Sequence, residues 1–173
     1  GYARGEACVA MALQPESEGV TLSLLGSAVR CDGRSASLTA PNGQAQQALL
    51  RAALTDAGVE PASLSRMEAH GTGTALGDPI EAGSLAGAVL SSREEALAMG
   101  SVKANSGHAE PAAGISGLLV LACGLGQALA APNAQLRVLN PRGAEALGRF
   151  LCGLQTSLAP LTGGNHTGGV SSF

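Results

Sequence analysis

The chain has 173 residues, of which 45% are apolar and 13% charged, and this composition excludes a disordered chain. Its formal net charge is −3 and its ten Lys and Arg residues form no basic run, so the sequence lacks the signature of a nucleic-acid-binding protein. The four cysteines have no metal-ligand spacing, and a chain of this length can bury a core without disulfides.

The first part of the chain predicts two strands and a helix. Short apolar runs over residues 7–13 and 20–29 predict strands, separated by the turn-like residues 14–19. Apolar side chains then recur at helical spacing over residues 44–57, and Gly58 lies where such a helix would end.

A short strand over residues 65–69 is predicted to enter a Gly/Thr loop at residues 70–74. Asp78 has the residue type and position of a helix N-cap, and Glu81 lies three residues later, where it can reach back to the cap. We therefore interpret both as capping residues of a helix that runs to about Leu90, rather than as catalytic groups.

Residues 99–103 predict a further strand, and residues 109–131 predict a long apolar helix. A membrane span needs about 20 apolar residues, but glycines interrupt this one, which favours a buried helix over a span. Residues 133–167 predict short strands and turns, and residues 168–173 the entry of a strand.

Strands and helices alternate along the chain, which predicts an α/β fold. His70 and His108 each lie in a glycine-flanked loop between a strand and a helix, where such folds place their chemistry, and Lys103 lies five residues before His108. All three side chains could converge on one pocket, and the alternative is that the histidines are structural.

Five segments resemble the motifs of type I ketosynthases, in the order in which that family carries them. They are residues 1–8, 40–46, 68–74 continuing through 77–81, 100–108, and 169–173. The segments around His70, and around Lys103 and His108, are the closest matches.

The resemblance implies a thiolase-like fold with layered α-β-α architecture and a mixed sheet. Residues 1–37 would be the end of the N-terminal ketosynthase half, including its last strands. Residues 38–173 would be the C-terminal half, truncated before the final glycine-rich loop and strand.

The implied activity is that of a beta-ketoacyl-[acyl-carrier-protein] synthase, an acyltransferase of polyketide or fatty-acid biosynthesis. It joins a malonyl-type extender to an enzyme-bound acyl thioester by decarboxylative Claisen condensation. By the same resemblance, His70 and His108 would act on the malonyl thioester carbonyl during decarboxylation, Lys103 would act electrostatically, and Thr72 and Thr74 would bind the amides of the pantetheine arm.

The resemblance implies no directly bound cofactor and no metal, because the substrates arrive on the phosphopantetheine arm of an acyl carrier protein. It also implies a homodimer of the complete ketosynthase, no membrane, and a cytoplasmic location, with a plastid as the alternative.

The nucleophilic cysteine of the family is expected outside this chain, and the chain alone is expected to be inactive. None of the four cysteines, Cys8, Cys31, Cys123 and Cys152, has the sequence setting of that nucleophile. Two alternatives stay open: a catalytically silent ketosynthase-like partner, and a thiolase-type acyltransferase.

Overall fold

A computed structural model describes residues 2–15, 18–33, 35, 40–134, 136–162 and 166–173. The α-helices of the described residues are α1 (Gly43–Ala57), α2 (Gly77–Leu85), α3 (Lys103–Ser106), α4 (Ala113–Gln127) and α5 (Pro141–Leu147). The strands are β1 (Leu64–Glu68), β2 (Leu97–Gly100), β3 (Leu129–Ala130), β4 (Cys152–Leu154), β5 (Ala159–Pro160) and β6 (Thr167–Val170). A π-helical turn, Ala86–Leu90, continues α2, and 3-10 turns lie at Pro61–Ser63 and Glu110–Ala112.

The main sheet has the strand order β4-β2-β1-β6, and every neighbouring pair in it is parallel. Antiparallel pairing is confined to a separate ribbon of β3 and β5 among the described residues. Because β1 lies inside the sheet, the residues that follow it emerge between the ends of β2 and β6. The predicted α/β fold is confirmed, and the loop that carries His70 starts at this edge.

The two faces of the main sheet contact different helices, which gives the predicted α-β-α layers. Met67 of β1 belongs to the apolar core shared with α1 and α2. Its neighbours Arg66 and Glu68 point to the opposite face, where α4 crosses the sheet. Glycines on α4 make room for them: a Cβ on Gly117 would lie 3.2 Å from Cγ of Glu68, and one on Gly124 2.8 Å from Nη1 of Arg66.

Helix α1 matches its prediction to within one residue. The side chain of Asn42 accepts hydrogen bonds from the backbone N–H groups of Gln44 and Ala45 and so caps the first turn. Gly58 ends the helix with φ of 62°, a left-handed conformation that glycine adopts without steric cost.

The strands predicted at residues 7–13 and 20–29 are wrong. Both segments lie mostly exposed and join no sheet among the described residues. A strand needs a neighbour to bond its N–H and C=O groups, and these segments have none in the described part of the chain. The second segment is instead held against the end of α1, where Asp56 Oδ2 accepts from the backbone N–H of Ser27 at 2.9 Å.

The long apolar helix is shorter than predicted, because α4 begins at Ala113 after a 3-10 turn and ends at Gln127. Within the described ranges, no helix is both long and apolar enough to cross a membrane. Only one stripe of α4 is fully buried, formed by Ala113, Gly117 and Leu121 at four-residue spacing. The interpretation of a buried helix therefore holds for the face against the sheet.

Two boundaries differ from the prediction toward the end of the chain. Strand β2 ends at Gly100, so Lys103 is the first residue of α3 and not part of the strand. The region predicted as short strands and turns also contains α5, which begins with Pro141 after the Asn140 cap. Strand β6 lies close to the predicted position near residue 168.

Candidate active site

The rings of His70 and His108 lie edge to face, with centroids 5.6 Å apart. His70 lines a cavity of about 270 Å³, together with Thr72, Thr74 and Phe173. The two histidines come from different loops, one after β1 and one after α3, so the fold brings together residues that lie far apart in sequence. The two histidine rings therefore meet, but of the three residues predicted to share one pocket only His70 lines this cavity.

The backbone of the His70 loop is held by the carboxylate of Glu81 on α2. Oε1 accepts from the N–H of His70 at 2.7 Å, and Oε2 accepts from the N–H of Gly71 at 2.9 Å. Gly71 has φ of 50°, and a Cβ there would lie 2.7 Å from Cβ of Ser101. The loop therefore turns sharply against the end of β2, which only glycine allows at this position.

The imidazole of His70 is held in one tautomer by the end of the chain. Nδ1 accepts from the backbone N–H of Phe173 at 3.3 Å, so the proton of the neutral ring lies on Nε2. Burial, followed by the charges of Lys103 and His108, lowers the pKa of His70 to about 4. At neutral pH this residue is thus an uncharged hydrogen-bond donor.

His108 has an equivalent arrangement with different partners. Its Nδ1 accepts from the backbone N–H of Glu110 at 3.3 Å, so in the neutral ring the proton lies on Nε2. Its backbone N–H donates to the carbonyl of Ala3 at 2.8 Å, and its carbonyl accepts from Gly5 at 3.0 Å. The ring of Tyr2 contacts the imidazole at a centroid distance of 4.8 Å.

Glu110 is a residue of this site whose partners the sequence did not predict. It adopts φ of 46°, which is uncommon for a residue with a side chain. Its carboxylate forms an ion pair with Arg4 and accepts from the hydroxyl of Tyr2 at 3.3 Å. No sequence rule predicts these contacts, since the partners lie more than a hundred residues apart.

Lys103 is half-buried beside the histidine pair, at the start of α3. Burial lowers the pKa of Lys103, while the nearby carboxyl groups of Glu81 and Glu68 act in the opposite direction. Glu68 also accepts from the backbone N–H of Val102, the residue before the lysine. The buried carboxylate of Glu68 therefore holds the lysine loop in place, and burial raises its own pKa.

Thr72 and Thr74 both line the cavity, and their hydroxyl oxygens lie 3.5 Å apart. The Oγ1 of Thr74 also accepts from the N–H of Gly77 at 3.0 Å. The backbone here is held by Asp78, whose Oδ1 accepts from Gly73 at 3.0 Å and from Thr74 at 3.1 Å.

The capping box predicted for Asp78 and Glu81 is wrong. Helix α2 begins at Gly77, and its N-cap position, Leu76, makes no side-chain cap. Both carboxylates face backward and bind backbone N–H groups of the preceding loop instead. The N–H groups of that loop need hydrogen-bond acceptors. The two carboxylates therefore bind the loop rather than the first N–H groups of α2.

The cysteines lie away from this cavity. Cys8, Cys31 and Cys123 are exposed and Cys152 is half-buried, and none lines the cavity beside His70. A second cavity of about 550 Å³ lies where α1 and α2 begin, but neither histidine reaches it. The chemistry of the described residues is therefore concentrated at the histidine pair.

Comparison with known families agrees with this geometry. The family model described as "Beta-ketoacyl synthase, C-terminal domain" matches residues 22–137, which is most of the chain. The chain belongs to the beta-ketoacyl synthase family. The matched range includes both histidine loops and Lys103 of this ketosynthase chain.

Relatives of this ketosynthase chain include two large proteins of the phenolphthiocerol/phthiocerol polyketide synthase of Mycobacterium tuberculosis. One is 42% identical over 100% of the chain, which corresponds to 10% of the relative. The other is 41% identical over 100% of the chain and is covered over 8% of its own length. The chain thus spans about a tenth of the length of the curated relatives it matches.

Solved ketosynthases have a similar fold. An oxazolomycin ketosynthase domain from Streptomyces albus superposes with a TM-score of 0.74 at 37% identity, covering 80% of this chain and 24% of that one. The ketosynthase from module 6 of the bacillaene synthase of Bacillus subtilis gives a TM-score of 0.77 at 30% identity, covering 87% and 27%. The ketosynthase chain therefore has the thiolase-like fold that the sequence motifs imply.

Proposed function

We propose that the protein that carries this chain is a beta-ketoacyl synthase of polyketide biosynthesis. It would condense a malonyl-type extender with an acyl group held as a thioester on a cysteine. The observation that carries this proposal is the pair of imidazoles, each with Nδ1 occupied by a backbone N–H and with Nε2–H available.

The pair suits the decarboxylation step. Loss of carbon dioxide from a malonyl thioester moves the electrons of the broken C–C bond into an enolate, whose oxygen carries negative charge. The ring centroids lie 5.6 Å apart, and the two Nε2–H groups would both donate to one such oxygen. Two fixed donors in a site with little water stabilise an oxyanion by several kcal/mol.

His70 is suited to this role because it stays neutral. A pKa of about 4 keeps its imidazole uncharged at neutral pH, so it donates a hydrogen bond without giving up a proton. Lys103 would add positive potential beside the enolate. The enolate carbon would then attack the acyl thioester, forming the new C–C bond and releasing the cysteine as a thiolate.

The extender would arrive on the phosphopantetheine arm of an acyl carrier protein. Thr72 and Thr74 line the cavity that leads to His70, and their hydroxyl groups would hydrogen-bond the amides of that arm. No cysteine of this chain lines the cavity, so the acylated cysteine would come from another part of the protein. By its family, the complete enzyme would act as a homodimer.

The test replaces His70 in the complete enzyme and measures two half-reactions. We expect His70→Ala to abolish release of carbon dioxide from malonyl-acyl carrier protein while acylation of the cysteine continues, because the acyl group does not need the enolate site. His166→Ala is the matched control, since this third histidine belongs neither to the pair of imidazole rings nor to the cavity lining. Unchanged release of carbon dioxide from His70→Ala would contradict the assignment, and a wild-type enzyme that releases none would favour a silent relative.

A further inference from the structure

Glu81 is a buried carboxylate that the proposed reaction does not use directly. It lies on the inner face of α2 with 5% of its surface exposed. Three groups from two other parts of the chain donate to it: the backbone N–H groups of His70 and Gly71, and the hydroxyl of Ser171 at 3.2 Å from Oε1. The carboxylate is thus the point at which the ends of β1 and β6 meet α2.

The hydrogen bond between Glu81 and Ser171 also connects Glu81 to the imidazole ring of His70. Ser171 is two residues before Phe173, whose N–H donates to Nδ1 of the His70 ring. The backbone N–H of Ser171 also donates to the carbonyl of Glu68 at 3.0 Å. One carboxylate therefore fixes both the backbone that carries His70 and the segment 171–173 that occupies its Nδ1.

We propose that Glu81 is a positioning residue that keeps the His70 ring in its Nε2–H tautomer, by binding the His70 loop and residues 171–173 together. This inference deepens the proposed function. It rests on that function only for the catalytic role of the Nε2–H group. The tautomer itself is a property of the chain and can be measured without any substrate.

The chemistry of the three donors requires a carboxylate at this position. An ionised Glu is an acceptor only, and here both of its oxygens accept. A Gln of the same shape would point its NH2 group at the backbone N–H of Gly71 or of His70, so one of these two bonds is lost, whereas the Ser171 hydroxyl can bond either end of the amide. The lost bond loosens the His70 loop against the segment that carries Phe173, the donor to Nδ1.

Asp78 provides a matched control on the same helix. Its carboxylate also binds two backbone N–H groups of the same loop, but those of Gly73 and Thr74, which lie farther from the segment 171–173 along the loop than His70 does. Asp78→Asn removes one negative charge from the same helix, as Glu81→Gln does, but its Oδ1 can keep both hydrogen bonds to the loop. An effect of the lost charge alone would affect both variants, whereas the proposed role would affect only Glu81.

The experiment reads the histidine tautomers by NMR on the full chain labelled with nitrogen-15 at histidine, at a concentration where it sediments as a monomer. The chain has three histidines, and single substitutions assign their signals. We expect wild type and Asp78→Asn to show His70 in the Nε2–H form alone. Glu81→Gln is expected to give a mixture of both tautomers at His70, with the signals of His108 unchanged because Glu110 holds that ring.

Ser171→Ala keeps the proposal testable if Glu81→Gln does not fold. It removes only one hydroxyl, and we expect it to shift His70 toward the mixed tautomers in the same direction. A pure Nε2–H signal for His70 in a folded Glu81→Gln or in Ser171→Ala would overturn the proposal. So would an equal tautomer shift at His70 in Asp78→Asn.

In the complete enzyme we expect Glu81→Gln to lower the rate of carbon dioxide release at least about tenfold, with acylation of the cysteine unchanged. Full activity of Glu81→Gln would refute the positioning role. A wild-type enzyme without decarboxylase activity would instead refute the proposed function, and the tautomer result would still decide the role of Glu81.

Discussion

The neutral imidazole of His70 gives the most direct prediction at the residue scale. Its pKa is lowered to about 4 from an ordinary 6.5, first by burial and then by the charges of Lys103 and His108. We therefore expect the nitrogen-15 signals of His70 to keep their neutral values as the pH falls to 5, with a midpoint near 4. A midpoint near 6.5 would contradict the burial of this ring.

The same shift has a consequence for stability. Between pH 4 and 6.5 the unfolded chain binds a proton at His70 that the folded chain refuses, so the free energy of unfolding decreases as the pH falls through this window. Replacement by Gln removes this dependence. We subtract the unfolding free energy of His70→Gln from that of the wild type, both measured in urea at several pH values. This difference should stay constant above pH 6.5 and decrease as the pH is lowered below 6.5.

At this scale the sequence predicted the residues of the candidate site but not what holds them. Spacing and glycines placed both histidines in loops, and the motifs implied that they meet. The capping box misassigned Glu81, because a rule about residues three apart cannot include Ser171, which is ninety positions away. The partners of Nδ1 are backbone N–H groups. Nearly every residue has such a group, so residue types do not indicate which one donates.

At the scale of single elements, the packing of helix α4 against the sheet depends on glycines, which have no side chain. Its glycines are not helix formers, yet Gly117 and Gly124 leave room for the buried ion pair of Arg66 and Glu68, whose charged atoms lie 3.4 Å apart. A helix built from larger residues would be displaced from the sheet. The sequence indicated an apolar helix here but could not show which glycines contact a buried charge.

Gly124→Ala tests this packing. Its Cβ would lie 2.7 Å from the carbonyl oxygen of Leu129 and 2.8 Å from Nη1 of Arg66, so the helix or the guanidinium must move. We expect a loss of about 1–3 kcal/mol of unfolding free energy, as is usual when a packed interface is overfilled. Urea unfolding of the chain, followed by circular dichroism, measures it.

Gly126→Ala is the control for helix propensity, because the nearest atom to its Cβ is Cδ1 of Leu22 at 3.9 Å, an ordinary contact. Alanine favours a helix over glycine by up to about 1 kcal/mol, so this variant should be unchanged or more stable. Equal destabilisation of both variants would show that the glycines matter for another reason than the space beside Arg66.

Over the whole molecule, apolar surface is distributed unevenly. The sheet and the α1–α2 layer bury their apolar residues, whereas the N-terminal segment exposes large ones: Leu13 is 72% exposed and Val29 96% exposed. The predicted strands failed for the same reason, since a short apolar run forms a strand only when another strand and a core lie beside it. An apolar run in the sequence shows that a segment needs a neighbouring strand or core to pack against. It does not show whether the described part of the chain supplies one.

This exposed segment predicts that the chain associates with itself as its concentration rises, because contact between such surfaces removes apolar area from water. Sedimentation velocity over about a hundredfold range of concentration should show a rising average mass.

The double variant Leu24→Glu/Leu25→Glu places two charges on the segment and should restore a monomer across the range. Val138→Glu is the control, since Val138 is 84% exposed and lies just before α5 in the chain, outside the segment. A monomer at every concentration in the wild type, or the same change of mass in the control, would show that the segment does not drive association.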